Sequence, residues 1–472
     1  MLRLRGEGCC ESKDDIYSAS SPPSSAPTQT GQLPVSDQDV QIETSTPARR
    51  RSSVVESRRS SDAEDSASLP SVSHWCKRGG EKLEVLFEVD PDLGSAPVRL
   101  VDATHIMTAA KQPGATFQRR QDLPEHSFVD LTTLRQLGRA PFGALRILAV
   151  SHVWSSRDHP DPHGFTLKLV ARALEAYVCD RDDGGQYGVF IDFCSLPQCG
   201  PEEEELSHSD AAVYAKAVQH IGELYSHPRT MLLKVTATSA ASREQEDGAL
   251  TSYAGPSPYH TRGWCYTEEA IATLTKPSRY VLDLAFLPDP ADERFFDPLA
   301  NATRWAKVRG ACTSQGNRRP PMTLGAFGDV LSRLEFRRPD VDLPLVRGMY
   351  DRAFSARLGE AHQLFYSYLS WGDEEAKQLA AMLKTGVAER LEQLFLSSNR
   401  IGCDGLAAII DALAYGASPN LREISLHENP QLSDEAITAA RKALEPRRCY
   451  ITLSDEFHID QTARRRSISG QL

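Results

Sequence analysis

Residues 262–270 read RGWCYTEEA and residues 151–157 read SHVWSSR, with Asp192 at the end of the apolar run VFID. Two adjacent carboxylates beside a Trp-Cys pair raise the question of which one does chemistry. In a helix opening at Arg262, the residues Trp264, Glu268, Ile271 and Thr275 share one face, and Glu269 lies about 100° round, beside Tyr266 and Thr273. That phase sets Glu268 on an apolar stripe and turns Glu269 toward solvent. A carboxylate on such a stripe is costly unless it is paired or opens on a cleft. Arg262 is the partner in the first case; in the second, Glu268 is a cleft carboxylate. Cys265 near His260 suggests a thiol nucleophile, but no third group orients the pair. Ser151, His152, Trp154, Ser155, Ser156 and Arg157 could hold a phosphate or stack a flat ring; the plainer reading packs Trp154 and leaves the rest as loop. His159, Asp161 and His163 have metal-like spacing, yet two prolines exclude helical geometry and make a turn the better reading. Asp192 either caps the next loop or touches a ligand. Cys194 and Cys199 lack a base or metal partner and read as ordinary thiols. Neither G-x-G-x-x-G nor a Walker loop occurs, so these dinucleotide and nucleoside-triphosphate signatures are missing.

Positioning these residues requires strands. Leu145–Val150 is a nearly continuous apolar run, as in a strand buried on both faces. FTLKLVARALEAYV follows with Leu167, Val170, Leu174 and Val178 at helical spacing, then a DDGGQYG turn and a second buried strand, VFIDF. AAVYAKAVQHIGELY is a helix with Val213, Ala217, His220, Ile221 and Leu224 inward. TMLLKVTAT is a third strand, and RYVLDLAF, after the opening helix, a fourth. Strands alternating with helices predict an open parallel α/β sheet, and ligands of such sheets bind beyond the carboxyl ends of the strands. Ser151–Gly164, Cys194–Gln198 and the opening helix all fall there. Upstream, KLEVLFEVD alternates like a strand.

The chain has 472 residues, enough for two or three domains plus tails, and 40% hydrophobic residues to build a core. Asp and Glu number 64 against 53 Lys and Arg, for a net charge of −11. That balance argues against nucleic acid, which demands a basic face. No apolar run approaches the ~20 residues of a membrane span, and the N-terminus lacks the apolar core of a secretory signal. Ten scattered cysteines without a CxxC pair suit reduced thiols and a cytoplasmic protein. Residues 1–72 are rich in Ser and Pro and nearly free of aromatics, the composition of a disordered arm. Arginines precede Ser52, Ser53, Ser60 and Ser61 there, and Ser467 in the basic tail 456–472, as in substrates of basic-directed kinases.

Near the C-terminus LEQLFLSSN (391–399) recurs as LREISLHEN (421–429). Each is followed by a helical stretch, and GDEEAKQLAAMLKTG matches that helical half one register earlier, with Leu369 near a strand position. CYITL adds a last strand. This pattern resembles leucine-rich repeats of the ribonuclease-inhibitor type over 362–455, in which the leucines fill a strand-plus-helix core and the Asn caps the turn. Such an array implies protein partners. Residues 286–361 read as a helical connector.

LAVSHVW, VFIDFCSLPQ, IGELYSHP and RGWCYTEE, in this order, resemble the heterokaryon-incompatibility (HET) domain, and the last block is also similar to the W-C-L-x-E-L of TIR domains. His152 stands where the HET pattern has Tyr, Pro197 where it has a second Asp, and Thr267 where it has Gln. The resemblance covers about residues 97–285 and implies a TIR-like, flavodoxin-like open parallel sheet within an α/β domain at 73–285. It also implies possible self-association. In TIR enzymes the Glu four residues after the Trp is catalytic in NAD cleavage, which by carry-over is Glu268. Ser151, His152, Trp154, Ser155, Arg157, Asp192 and Trp264 become the candidate NAD-binding residues. NAD is then a substrate and no cofactor or metal is required. The expectation is an intracellular signalling or defence-type protein, a candidate NAD glycohydrolase or nucleotide-binding module coupled to repeats; the alternative is a non-catalytic interaction scaffold.

Overall fold

A computed structural model describes residues 74–136, 144–156, 158–179, 186–200, 205–237, 258–289, 303–313 and 318–453. The Ser/Pro arm, the basic tail with Ser467, most of the DDGGQYG turn and Arg157 lie outside the described residues.

A six-stranded sheet has the order β2-β1-β4-β3-β5-β6. Its strands are β1 Leu100–Asp102, β2 Phe128–Val129, β3 Ile147–His152, β4 Gly188–Phe190, β5 Met231–Val235 and β6 Val281–Asp283. The four strands β4, β3, β5 and β6 are mutually parallel, and β1 joins β4 antiparallel, with β2 antiparallel at the edge. The parallel part therefore runs second-first-third-fourth in chain order, a doubly wound order whose reversal point lies between β3 and β5. Every residue of β3 and of β5 is buried, which explains their continuous apolar reading. Alternation still governs which face each residue meets. Ile147, Ala149 and Leu232 join one apolar cluster, while Leu148, Val150, Met231, Leu233 and Val235 join the other.

The helices are α1 His74–Lys77, α2 Glu84–Phe87, α3 Ala103–Ala109, α4 Leu131–Gln136, α5 Phe165–Cys179, α6 Asp192–Ser195, α7 His208–Ser226 and α8 Gly263–Ala272. The second-cluster face of the sheet packs with α5 residues Leu167, Val170 and Leu174. The first packs with α7 residues Ala217, Ile221 and Leu224 and α8 residues Tyr266 and Ile271. Asp161, expected in a turn, caps α5: its carboxylate accepts the Leu167 N–H at 2.8 Å. His220, expected inward on α7, is only half-buried. The KLEVLFEVD segment is not a strand. It forms a 3-10 turn, Gly80–Leu83, running into α2. Leu83, Leu86 and Phe87 are buried while Val85 and Val89 are exposed, a helical spacing that the superficial alternation conceals.

Three further helices follow, α9 Arg304–Cys312, α10 Leu324–Leu331 and α11 Pro339–Gly359. Phe327 of α10 stacks on Tyr350 of α11 at 3.7 Å between ring centroids. Beyond them lies a second, all-parallel sheet of order β10-β9-β8-β7, with β7 Gln363–Phe365, β8 Gln393–Phe395, β9 Glu423–Ser425 and β10 Tyr450–Thr452. Helices α12 Asp373–Lys384, α13 Cys403–Ala414 and α14 Asp434–Leu444 alternate with these strands. Leu364, Leu394, Ile424 and Ile451 stand in register as a buried row, each contributing about 1.5–3 kcal/mol by leaving water. Asn399 does what a turn asparagine can: Oδ1 accepts the Leu369 and Trp371 N–H groups, and Nδ2 donates to Tyr366 O and Leu396 O. Leu369 is thus in the turn, facing the asparagine of the next unit, and the strand of its own unit is QLF at 363–365, repeated as QLF at 393–395.

The end of α8 meets this second sheet. The Tyr366 hydroxyl donates to Leu274 O at 2.6 Å, and buried Arg318 donates to Thr273 O at 2.7 and 2.9 Å and to Phe365 O at 2.8 Å. One apolar cluster runs from Trp75 through the first sheet to Ile451.

Candidate active site

At the carboxyl edge of the first sheet, Ser151 of β3 is in register with Lys234 of β5, and Lys234 with Asp283 of β6. All three follow the alternation onto the α7–α8 face, so three parallel strands end in a polar row. Helix α8 covers that row. Its start is anchored to the chain before α11: Gly263 N donates to Glu335 O at 3.0 Å, and Glu335 N to Thr261 O at 2.8 Å. Glycine at 263 leaves room for the Phe336 ring, since a Cβ there would lie 1.9–2.5 Å from it and push the ring aside. Cys265 anchors the helix to β3, its thiol donating to His152 O at 3.3 Å.

So placed, the two glutamates rest on different strands. Ser151 Oγ donates to Glu268 Oε2 at 2.5 Å. The Tyr259 hydroxyl lies 2.6 Å from the same Oγ and, with that serine proton committed, donates to it. Tyr225 of α7 also hydrogen-bonds the Glu268 carboxyl and donates to Val150 O at 3.2 Å. Arg262 is not the partner of Glu268: its guanidinium pairs with Glu335 at 3.3 Å. No lysine or arginine among the described residues forms an ion pair with Glu268. Burial pushes this carboxyl up to about 8; the Ser151 hydrogen bond opposes the rise and the Asp192 charge adds to it.

Glu269, expected to face solvent, is 6% exposed. Lys234 Nζ lies 2.7 Å from its Oε1 and His260 Nδ1 3.4 Å from its Oε2. Burial opposes its ionisation, but His260 and Lys234 outweigh it and hold the carboxyl down at about 2. Asp283 approaches the same ammonium at 3.8 Å. Helical phase failed to separate wet from dry because α8 is covered on several sides, with Gly263, Cys265, Tyr266, Thr267, Glu269, Ile271 and Ala272 all buried. The outer side of α8 borders a shallow groove, where Arg319 stacks over Tyr266; Glu269 lines it, and Glu268 does not.

His152 follows β3 onto the other face. Its Nε2 lies 3.2 Å from Asp192 Oδ1, and the Trp154 indole donates to Asp192 Oδ2 at 2.7 Å. Burial lowers the imidazole pKa, but the Asp192 hydrogen bond and charge overcome it and the net shift is upward; desolvation raises the half-exposed Asp192, but His152 outweighs it and holds the carboxyl down. His152 Nδ1 is buried without a hydrogen-bond partner. Trp154 meets the edge of Phe193 at 5.7 Å. Ser155 is half-buried and its backbone N–H donates to Pro160 O. Trp264 packs on the α7–α11 side, in the other cluster from Trp154. The candidate residues therefore fall into two groups: Ser151 with Glu268, and His152 and Trp154 with Asp192. Asp192 and His152 still act electrostatically on Glu268.

Of the two histidines of HPDPH, His159 serves backbone, bonding Phe117 O through Nε2 and accepting the Asp161 N–H through Nδ1, while His163 is exposed. Among the described residues no group of three His, Cys, Asp or Glu side chains is placed to hold a metal. Cys194 and Cys265 are buried, and burial raises both thiols well above their ordinary range, which leaves them poor nucleophiles. Sequence reasoning passed over Lys234, Tyr225 and Tyr259. Lys234 was the most visible, a lone charge inside the apolar run MLLKV.

Compared with models of known protein families and with curated proteins, the chain matches none. No helix among the described residues is long and apolar enough to cross a membrane.

Proposed function

We propose that the first sheet and its helices form a HET/TIR-like domain that cleaves NAD to release nicotinamide, with Glu268 as the catalytic carboxylate. The second sheet is read as a short leucine-rich-repeat array that engages protein partners, in a cytoplasmic signalling or defence-type protein. The observation that carries this reading is the position of Glu268. It lies on Ser151 at the carboxyl end of β3, beside the β3–β5 reversal where doubly wound sheets bind ligands, and no cation among the described residues neutralises it. Nicotinamide departs from a pyridinium that already carries positive charge, so its loss needs no general acid. A carboxylate held beside the ribose stabilises the oxocarbenium-like transition state. Trp154, with its indole fixed on Asp192, supplies an aromatic edge near the strand end.

A second reading, a non-catalytic scaffold, draws on one observation: the Glu268 carboxyl already bonds to Ser151 and Tyr225, and so is satisfied without a ligand. The two readings separate by assaying nicotinamide release from NAD with the full chain and with Glu268→Gln, dilute and concentrated enough to permit self-association. Release from the wild type and at least a hundredfold loss in the variant supports catalysis. No release at any concentration leaves the scaffold, and equal release from both proteins removes Glu268.

A further inference from the structure

The second sheet has an inner and an outer face. Leu364, Leu394, Ile424 and Ile451 fill the core, so alternation turns the next residue of each strand outward: Phe365, Phe395, Ser425 and Thr452 form a second row. Phe395 joins neither apolar cluster, and Phe365 stacks on it with ring centroids 4.7 Å apart. Burial along this row is uneven. Phe365 on β7 is 43% exposed, yet Phe395 on β8 is 4% exposed and Ser425 on β9 2%. Ser397, two residues beyond Phe395 on the same face, is buried as well. Phe365 shields one side of the Phe395 ring, and Ser425 on the other side is too small to cover it. A face left to solvent would wet Phe395 as it wets Phe365, so β8 and β9 are covered from outside. The cover thins toward β7, which places its source on the β9–β10 side. It also follows the carboxyl ends of the strands, since Tyr450 at the amino end of β10 is 68% exposed. The chain itself leaves the sheet at that corner: β10 ends at Thr452, in register with Ser425.

We propose that residues 454–472 fold back across this outer face and occupy the ground on which a protein partner of the repeats would dock. Adjacent strands lie about 4.8 Å apart, so Phe395 is about 10 Å from Thr452, a span that about three extended residues cover. The sequence past Leu453 is SDEFHIDQTARRRSISGQL. Phe457 and Ile459 fall within that reach and on one side of an extended segment, and they offer Phe395 the apolar contact that its burial calls for. The occupancy needs no assumption about NAD. It rests on the partner-binding reading of the repeats only for its consequence, that a partner engages Phe365 and Phe395 after displacing the segment.

The test uses the full chain with the photocrosslinker p-benzoylphenylalanine in place of Phe365, an exposed position that tolerates the added ring. After illumination the links are mapped by proteolysis and mass spectrometry. The same group in place of Tyr415, 91% exposed at the end of α13, is the control. Within the monomer, position 365 is expected to link to residues 454–464 and position 415 is not, with a yield unchanged by dilution. Phe457→Asp, which lies beyond both sheets, is expected to cut that yield at least about tenfold, because a charge at a covered aromatic position forfeits its burial. Links from position 365 to residues 1–73, links only between two chains, or no links at all overturn the proposal, as does an unchanged yield in Phe457→Asp. Each of those outcomes leaves the nicotinamide-release reading where it was, and leaves the repeats free to bind a partner on an open or differently covered face.

Discussion

Replacing Glu268 by glutamine preserves shape and removes a titration that burial makes costly. In the unfolded chain this carboxyl ionises near its ordinary 4.5, and in the fold burial holds it at about 8. The folded value lies above the unfolded one, so the contribution of Glu268 to stability is complete below about pH 4.5 and is lost as pH rises toward 8. At ~1.36 kcal/mol for each tenfold change in proton affinity, the interval sets a ceiling of about 5 kcal/mol. Residual exposure of the side chain brings the expected effect to about 2–4 kcal/mol. Glutamine does not titrate, so the difference between wild type and variant isolates this term, and the contributions of Glu269 and His152 cancel. Urea unfolding of both full-length proteins at pH 5 and pH 8 measures it. Between those pH values, Glu268→Gln should gain about 2–4 kcal/mol on the wild type. Equal pH dependence in the two proteins refutes the reasoning. A gain by the wild type would mean that Glu268 is ionised in the fold and has a countercharge.

Nicotinamide release, as kcat/KM, should climb with pH through about 8, because the free protein must ionise Glu268 before it can stabilise a cation; a profile flat from pH 6 to pH 9 counts against a carboxylate role. Lys234→Met should cost about 3–5 kcal/mol, since it strands the buried Glu269 carboxylate, and adding Glu269→Leu should recover much of it in urea unfolding. Gly263→Ala should destabilise by about 1–3 kcal/mol through collision with Phe336, an effect that Phe336→Ala in the same chain should partly relieve. Asn399→Ala should cost about 3 kcal/mol or more by stranding the Leu369 and Trp371 N–H groups and Tyr366 O in the turn between β7 and α12, read as a lower urea midpoint.

The four parallel strands of the first sheet were legible because their signal is local, whereas β1, β2 and β7 were not read as strands. Six buried residues in a row at β3 can only be strand or buried helix, and the flanking helical spacing decides between them. The repeat was legible through LEQLFLSSN and LREISLHEN, although its first unit hides behind Tyr366, Tyr368 and Leu369, which stand where the second unit has Leu396, Ser398 and Asn399. The segment at 81–89 misled because Leu83, Val85, Phe87 and Val89 alternate. Only its packing reveals that Leu86 belongs inside and Val85 does not.

The sequence alone determined which residue types gather at the edge: a serine and histidine ending one strand, an aspartate ending the next, a lysine inside the third, and a pair of glutamates on a later helix. It could not assign partners, because charge pairing depends on strand order and register, which link residues 35 and 117 positions apart. Placing β3 beside β5 sets Ser151 next to Lys234, and α8 above them hands the cation to Glu269 and the hydroxyls to Glu268. Two neighbouring residues of one type thereby become a stable ion pair at about 2 and a proton-holding acid at about 8. Their chemistry is set less by the side chain than by what lies within 3 Å of it.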